Sequence, residues 1–200
     1  MTFLEFFVLS AMVMELNTLN EPHDMGRSDW KAISQHAVNA IRKLEDSKMI
    51  LVAGDGWSNA HRFAEVNGPT AWIQDPFNNF AYEAHCYFDA DHTGTYTKSF
   101  DAELRADAEL AQRPIKRLMP FVEWCLTNKV RGFIGEFGVP KGDERWNDLL
   151  GSFVETMRRV NMGGCYWAGG EWWGDYSLSI QPSGRGEVRA PQMEQLLLSK

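Results

Sequence analysis

Phe133-Ile134-Gly135-Glu136-Phe137-Gly138-Val139 is a short apolar run holding one carboxylate, and Pro140-Lys141-Gly142 stops it. Seven residues between breakers read as a buried strand rather than a helix. Behind it, helical pattern runs in two pieces around Pro114 and Pro120 and ends near Asn128. Ahead of it, residues 143–160 set Trp146, Leu149, Leu150, Phe153 and Met157 along one side of a helix. The alternation extends in both directions. Residues 49–53 form a compact apolar strand closed by Gly54-Asp55-Gly56, residues 82–88 read as the next strand, and residues 163–168 as one closed by Gly169-Gly170. Upstream, a helix starts near Ser28, with Trp30, Ile33, Ala37, Ile41 and Leu44 as its apolar face. A first strand is expected near residues 11–18, a long polar and aromatic loop over 57–79, and a short last helix over 191–199. Five strands alternating with helices imply an α/β fold with a parallel sheet under a helical layer. The choice is an open doubly wound sheet or part of a TIM-type (β/α)8 barrel, about five βα units of it. No GxGxxG or P-loop sequence follows a strand, which weakens nucleotide-binding readings. Carboxylates, histidine and tryptophan cluster where strands end, and that is where a barrel carries its active site.

Composition narrows the partners. Lysine and arginine total 20 against 27 aspartates and glutamates, a net charge of −7, which argues against nucleic acid or an anionic membrane surface. With 44% apolar and 24% charged residues over 200 positions, a single folded domain is expected. No uncharged apolar run reaches the ~18 residues of a membrane span. Residues 1–14, MTFLEFFVLSAMVM, are apolar but broken by Glu5, and no basic residue precedes Arg27. That is a poor secretory signal, so a buried strand or helix is expected there. Cys86, Cys125 and Cys165 are widely spaced with no CxxC pair, so neither a zinc site nor a dithiol motif is indicated, and three buried thiols are expected. Eight tryptophans exceed what a core of this size usually takes, so some should line a cleft.

Four segments carry chemistry. Glu21 closes the first strand in Asn20-Glu21-Pro22, and Glu136 sits in a glycine-flanked strand. Either alone reads equally well as an ion-paired strand-end glutamate. Two of them, with a strand-end histidine and tryptophan, weaken that plain reading sharply, because an unpaired buried carboxylate is costly unless it is used. His85 and Tyr87, two apart on a strand, share one face, and Cys86 faces the helices. Trp167 ends the last strand, and Glu171-Trp172-Trp173-Gly174-Asp175-Tyr176 follows. Flat indoles stack on the C–H face of a sugar ring, and the acids and amides can bond its hydroxyls. The plainer alternative is that Trp172 and Trp173 seal a barrel mouth.

The ordered set Asn20-Glu21-Pro22, His85-x-Tyr87, Ile134-Gly135-Glu136-Phe137-Gly138 and Trp167 resembles glycoside hydrolase family 5. Residues 75–89, Gly94-Thr95-Tyr96 and Trp167 through Trp173 resemble its cellulase-type endoglucanases, from about Asn20 to the end of the chain. The resemblance implies a (β/α)8 barrel and retaining hydrolysis of β-1,4-glucan, a polysaccharide partner, an extracellular setting, and no metal or organic cofactor. It makes Glu21 the acid/base and Glu136 the nucleophile. Asn20 is then expected to hold the sugar 2-hydroxyl, and Tyr87 to bond the nucleophile. His85 is expected to bond substrate or adjust the acid, Trp167 to floor the cleaved sugar's site, and Trp172 and Trp57 to contact sugar nearby.

The chain departs from that family at its start. About nineteen residues precede Asn-Glu-Pro where three βα units are expected, so the five strands match strands four to eight. The arginine and first histidine of the missing strands are absent with them, and with the arginine goes part of the nucleophile's electrostatic setting. The whole chain, residues 1–200, then reads as one catalytic domain truncated at its N-terminal side, with self-association through the open barrel edges as a further expectation. A catalytically silent carbohydrate-binding fragment, or a family 5 hydrolase of another β-glycan such as mannan, are the competing functions. Turnover separates the first from a glucanase, since a binder releases no reducing ends.

Overall fold

The computed structural model describes residues 16–44, 48–182 and 188–197. The expectation for residues 1–14 lies outside the described residues. Among the described residues, five strands form one sheet in sequence order, every neighbouring pair parallel: β1 (Leu16–Asn17), β2 (Ile50–Ala53), β3 (Phe80–His85), β4 (Gly132–Phe137) and β5 (Gly163–Tyr166). Between them lie α1 (Trp30–Leu44), α2 (Phe63–Asn67), α3 (Phe100–Ala106), α4 (Arg113–Asn128) and α5 (Glu144–Arg159), and α6 (Gln192–Leu197) follows the last strand. Sequential parallel order with helical crossovers is the path of a (β/α)8 barrel, here five strands of it. No helix among the described residues is long and apolar enough to cross a membrane.

Side-chain parity on β2 and β3 separates two environments. Ile50, Val52, Phe80, Tyr82, Ala84, Cys86 and Phe88 all join the core between sheet and helices. Leu51, Ala53, Ala81, Glu83, His85 and Tyr87 have the opposite parity and face the barrel interior, yet each is buried. The inner face of the central strands is therefore not laid open to water, as a five-strand fragment suggests it should be. The exposure falls on β5, where Gly163, Gly164 and Cys165 are accessible. Cys165 thus departs from the three buried thiols expected, because it lies on an edge strand that pairs only with β4 among the described residues.

β4 breaks the parity rule, and the break sets the site. Ile134 packs against the helices, so Glu136, two residues on, belongs by alternation on the same side. The β3–β4 register shifts between Ala84 and His85, so that Ala84 pairs with Ile134 but His85 pairs with Glu136. One residue is thereby gained. Glu136 turns inward, and Phe137 takes the helical side, 5.3 Å from the Phe153 ring of α5.

Three other departures from the sequence reading have local causes. α1 buries Trp30, Ser34 and Val38, whereas Ile33 and Leu44 are exposed. The helix is turned about one position from the face its aliphatic residues suggest. Ser34 belongs at the interface because its hydroxyl accepts from Trp72 Nε1 at 2.9 Å, while Trp30 Nε1 donates to Ala53 O at 2.8 Å. The loop 57–79 contains a single 3₁₀ turn (Ala60–Arg62) and α2, too short for periodicity to reveal. The pattern around Pro114 and Pro120 belongs to the one helix α4, with Pro114 in the first turn, where its missing N–H costs nothing. A buried ion pair ties α1 to the loop before β3: Arg42 donates from Nε and Nη2 to Asp75 at 2.7 and 2.8 Å, and Nη2 also reaches Asn79 O.

Candidate active site

The carboxyl ends of β1, β3, β4 and β5 converge. Glu21 follows β1 at a positive φ of 45°, and its loop is held on both sides. Pro22 O accepts from Trp57 N at 3.0 Å, and the His23 ring stacks on Trp57 at 4.4 Å. The loop after β2 is hooked over the top of β3. His85 N donates to Ser58 O at 2.7 Å, and Ser58 Oγ bonds both Gly54 N and Glu83 O. The loop after β3 is held from the helical side. On α4, Arg117 donates to Tyr87 O and Asp89 O, both at 2.6 Å, and Arg113 donates to Phe88 O and the Glu103 carboxylate.

Within this frame, His85 Nδ1 lies 2.8 Å from Glu21 Oε1 and 3.5 Å from Glu136 Oε2. Tyr87 Oη donates to Glu136 Oε2 at 2.7 Å. One carboxylate oxygen of Glu21 and one of Glu136 lie within 4.8 Å of each other. Glu136 is nearly buried, and the Glu21 side chain is one-third exposed, as suits a group open to a solvent-borne ligand.

The charges explain the titration behaviour. Burial raises the Glu136 carboxyl above the ordinary range; the His85 charge and the Tyr87 hydrogen bond pull it back, while Glu21 and Glu83 push it up again. Burial by itself lowers a histidine, but hydrogen bonds to Glu21 and Glu83 and the charges of Glu136 and Glu83 outweigh it, taking His85 up to about 9. The surrounding carboxylates therefore make His85 hold a proton more tightly than an ordinary histidine. Among the described residues, Tyr87 and His85 lie against the Glu136 carboxylate.

Glu83 is the residue the sequence reading passed over. It is 3% exposed, its Oε1 lies 3.3 Å from His85 Nε2, and its Oε2 accepts from Asn17 Nδ2 at 2.6 Å. The signal was present in the parity of Glu83, His85 and Tyr87, each two residues from the next.

The aromatic residues form a rim. Trp167 follows β5 and meets Trp173 edge-on at 5.0 Å, and Trp173 in turn packs on Tyr176 at 5.2 Å. Tyr176, which the sequence reading includes in this segment without a role, also lies near the cluster: burial raises its phenol, and the nearby Glu136 charge raises it further. Trp172 stands clear of the surface at 94% exposure and Trp57 is half exposed, while Asn20 is exposed beside Glu21. Trp30, Trp124 and Trp146 are buried, so the tryptophans divide between core and cleft.

Glu21, His85 and Glu136 are also the one group among the described residues whose donor atoms are close enough to hold a metal ion. Their atoms are already engaged with one another. Nδ1 meets Glu21 Oε1, and Glu136 Oε2 accepts from Tyr87.

The family profile described as Cellulase (glycosyl hydrolase family 5) matches residues 7–173. The chain belongs to glycosyl hydrolase family 5, the cellulase family. Endo-beta-1,4-glucanase B of Aspergillus niger is 30% identical over 168 residues, covering 83% of this chain and 48% of that protein. Endoglucanase 3 of Humicola insolens is 30% identical over 176 residues, covering 86% and 43%. Among solved structures, the Pseudomonas stutzeri endoglucanase Cel5A superposes with a TM-score of 0.77 at 34% identity, over 88% of this chain and 52% of that one. The chain spans about half the length of the curated relatives it matches.

Proposed function

We propose that the chain carries both catalytic carboxylates of a retaining endo-β-1,4-glucanase. The observation that carries this is the separation of Glu21 and Glu136, whose nearest oxygens lie within 4.8 Å across the strand ends. Retention needs carboxyls about 5–5.5 Å apart, and inversion about 6.5–9.5 Å to admit a water between them. In the first step the Glu136 carboxylate attacks the anomeric carbon. The bond to the glycosidic oxygen breaks, and that oxygen takes the Glu21 proton. In the second step a water molecule attacks the glycosyl–Glu136 ester, gives its proton to Glu21, and frees Glu136. Tyr87 holds Glu136 in line, Asn20 reaches the 2-hydroxyl, and Trp167, with Trp172 and Trp57 further out, offers indole faces to sugar rings. The substrate class follows from the relatives: the Pseudomonas stutzeri enzyme is described with cellobiose, and a Xanthomonas counterpart with cellopentaose. The parent β-1,4-glucan is a polymer too large to enter a cell, which favours an extracellular setting. Residues 1–200 make up one catalytic domain, the C-terminal side of a barrel. A binding-only reading draws on the raised Glu136 carboxyl, which holds back ionisation of the nucleophile. Release of reducing ends from carboxymethylcellulose, lost in Glu136→Gln, is the expected result. No release from the unmodified chain, or an unchanged rate in the variant, overturns the proposal.

A further inference from the structure

A third carboxylate lies one layer beneath the two assigned above, and nothing in the double displacement uses it. Glu83 precedes His85 by two residues on β3, so both side chains enter the barrel interior, with Glu83 the deeper. Burying a carboxylate is costly unless partners replace its water. Glu83 has such partners from two strands. Asn17 of β1 donates to Oε2 at 2.6 Å, and His85 Nε2 meets Oε1 at 3.3 Å. The third strand supplies space: a Cβ at Gly135 of β4 lies 1.7 Å from Glu83 Oε1, so only glycine leaves room there. Three strands thus build a socket around one carboxylate that solvent and substrate do not reach.

We propose that Glu83 is a positioning residue for the site: it takes the His85 Nε2–H bond and so presents Nδ1 as the proton partner of Glu21. This rests on the glucanase reading above. A histidine whose Nε2 hydrogen is committed to a carboxylate has one exchangeable nitrogen left. Here that nitrogen is Nδ1, 2.8 Å from Glu21 Oε1. Nδ1 donates to Glu21 when Glu21 is ionised and accepts from it when Glu21 is protonated. One proton is shared along the Nδ1–Glu21 contact: it leaves through Glu21 to the glycosidic oxygen in the first step, the pair lacks it in the glycosyl-enzyme, and the attacking water returns it in the second step. The groups facing His85 are Glu21 from the β1 loop, Glu83 from its own strand, and Glu136 from β4. Glu83 is the only one of these that bonds Nε2.

Glu83→Gln is the informative change. It keeps the volume and an oxygen that can accept from Nε2–H, and removes the charge. Histidine ring nitrogens are followed by NMR titration in both proteins. In the unmodified chain His85 should titrate near 9, losing the Nδ1 proton and keeping Nε2–H. In Glu83→Gln the midpoint should fall by about one pH unit or more. On carboxymethylcellulose, kcat should fall roughly tenfold or more with KM little changed, a split that a loss of packing does not produce. An unchanged midpoint, or a neutral form carrying its hydrogen on Nδ1, overturns the proposal. If the variant does not fold, the nitrogen that keeps its hydrogen in the unmodified chain decides alone. Because the titration needs no turnover, a shifted midpoint in an inactive chain upholds the Glu83–His85 link and counts against the glucanase reading. An unshifted midpoint in an active chain does the reverse.

Discussion

Tyr87→Phe removes one oxygen and should move the pH profile of any glucanase activity. The phenol donates to Glu136 Oε2 at 2.7 Å, a good O–H···O length that also suits a donor facing an anion. Burial, with the Glu136 charge beside it, holds the phenol above its ordinary range, so it stays a donor throughout the working pH. Hydrogen bonds to charged groups contribute about 1.5–3 kcal/mol, and ~1.36 kcal/mol corresponds to one pH unit. Glu136 is already raised by burial, and Tyr87 is one of two groups pulling it down. Losing that bond should raise it by roughly one to two further pH units. The nucleophile must be ionised, so the acid limb of kcat/KM moves to higher pH by that amount, and rates on the limb fall about 10–100-fold. The ring should stay in place, because Gly94 lies so close that a Cβ there meets it at 2.6 Å. Kinetics on an aryl cellobioside from pH 4 to 9 would read the limb directly. A limb at its original position in Tyr87→Phe refutes the role given to this bond.

Two other consequences concern stability. His85 rises from 6.5 to about 9 on folding, so the stability it contributes is complete below about 6.5 and is lost as pH climbs through about 9. At ~1.36 kcal/mol per pH unit this comes to about 3 kcal/mol, and the raised Glu136 acts in the same direction above the ordinary carboxylate range. Tm should fall between pH 6.5 and 9.5, and a Tm that climbs over this interval contradicts the charge assignment. Arg42→Ala leaves Asp75 buried without its partner, which should cost about 3–5 kcal/mol in denaturant titration, and a loss under about 1 kcal/mol shows that the clamp is not holding α1 to the sheet.

Much of the architecture is readable from β3 and its neighbours. Short apolar strands between amphipathic helices gave five parallel strands, and parity placed His85 with Tyr87 and sent Cys86 to the helices. The inward turn of Glu136 was not readable in the same way. It depends on a register shift opposite Ala84 and His85, and a strand sequence does not say where its ladder slips. Glu83 was overlooked for a related reason. A glutamate inside an apolar strand looks like an edge residue until its partners Asn17 and Gly135, 66 residues back and 52 ahead, are seen to enclose it. α1 misled because the aliphatic residues Ile33 and Leu44 outweigh a serine in any apolar count, while the interface needed a hydroxyl to meet Trp72. The eight tryptophans pointed to a cleft without saying which of them form it.

The central claim is that Glu136 attacks sugar carbon with Glu21 beside it, and trapping the covalent intermediate tests it most directly. A 2-deoxy-2-fluoro cellobioside with a good leaving group needs no acid to react and forms an ester that hydrolyses slowly. Intact-mass spectrometry of the incubated chain should show the addition of one fluorocellobiosyl unit, and peptide mapping should place it on Glu136. The label should be absent from Glu136→Gln and still form in Glu21→Gln. No mass increase on prolonged incubation, or a label carried on Glu21 or Glu83, contradicts the account.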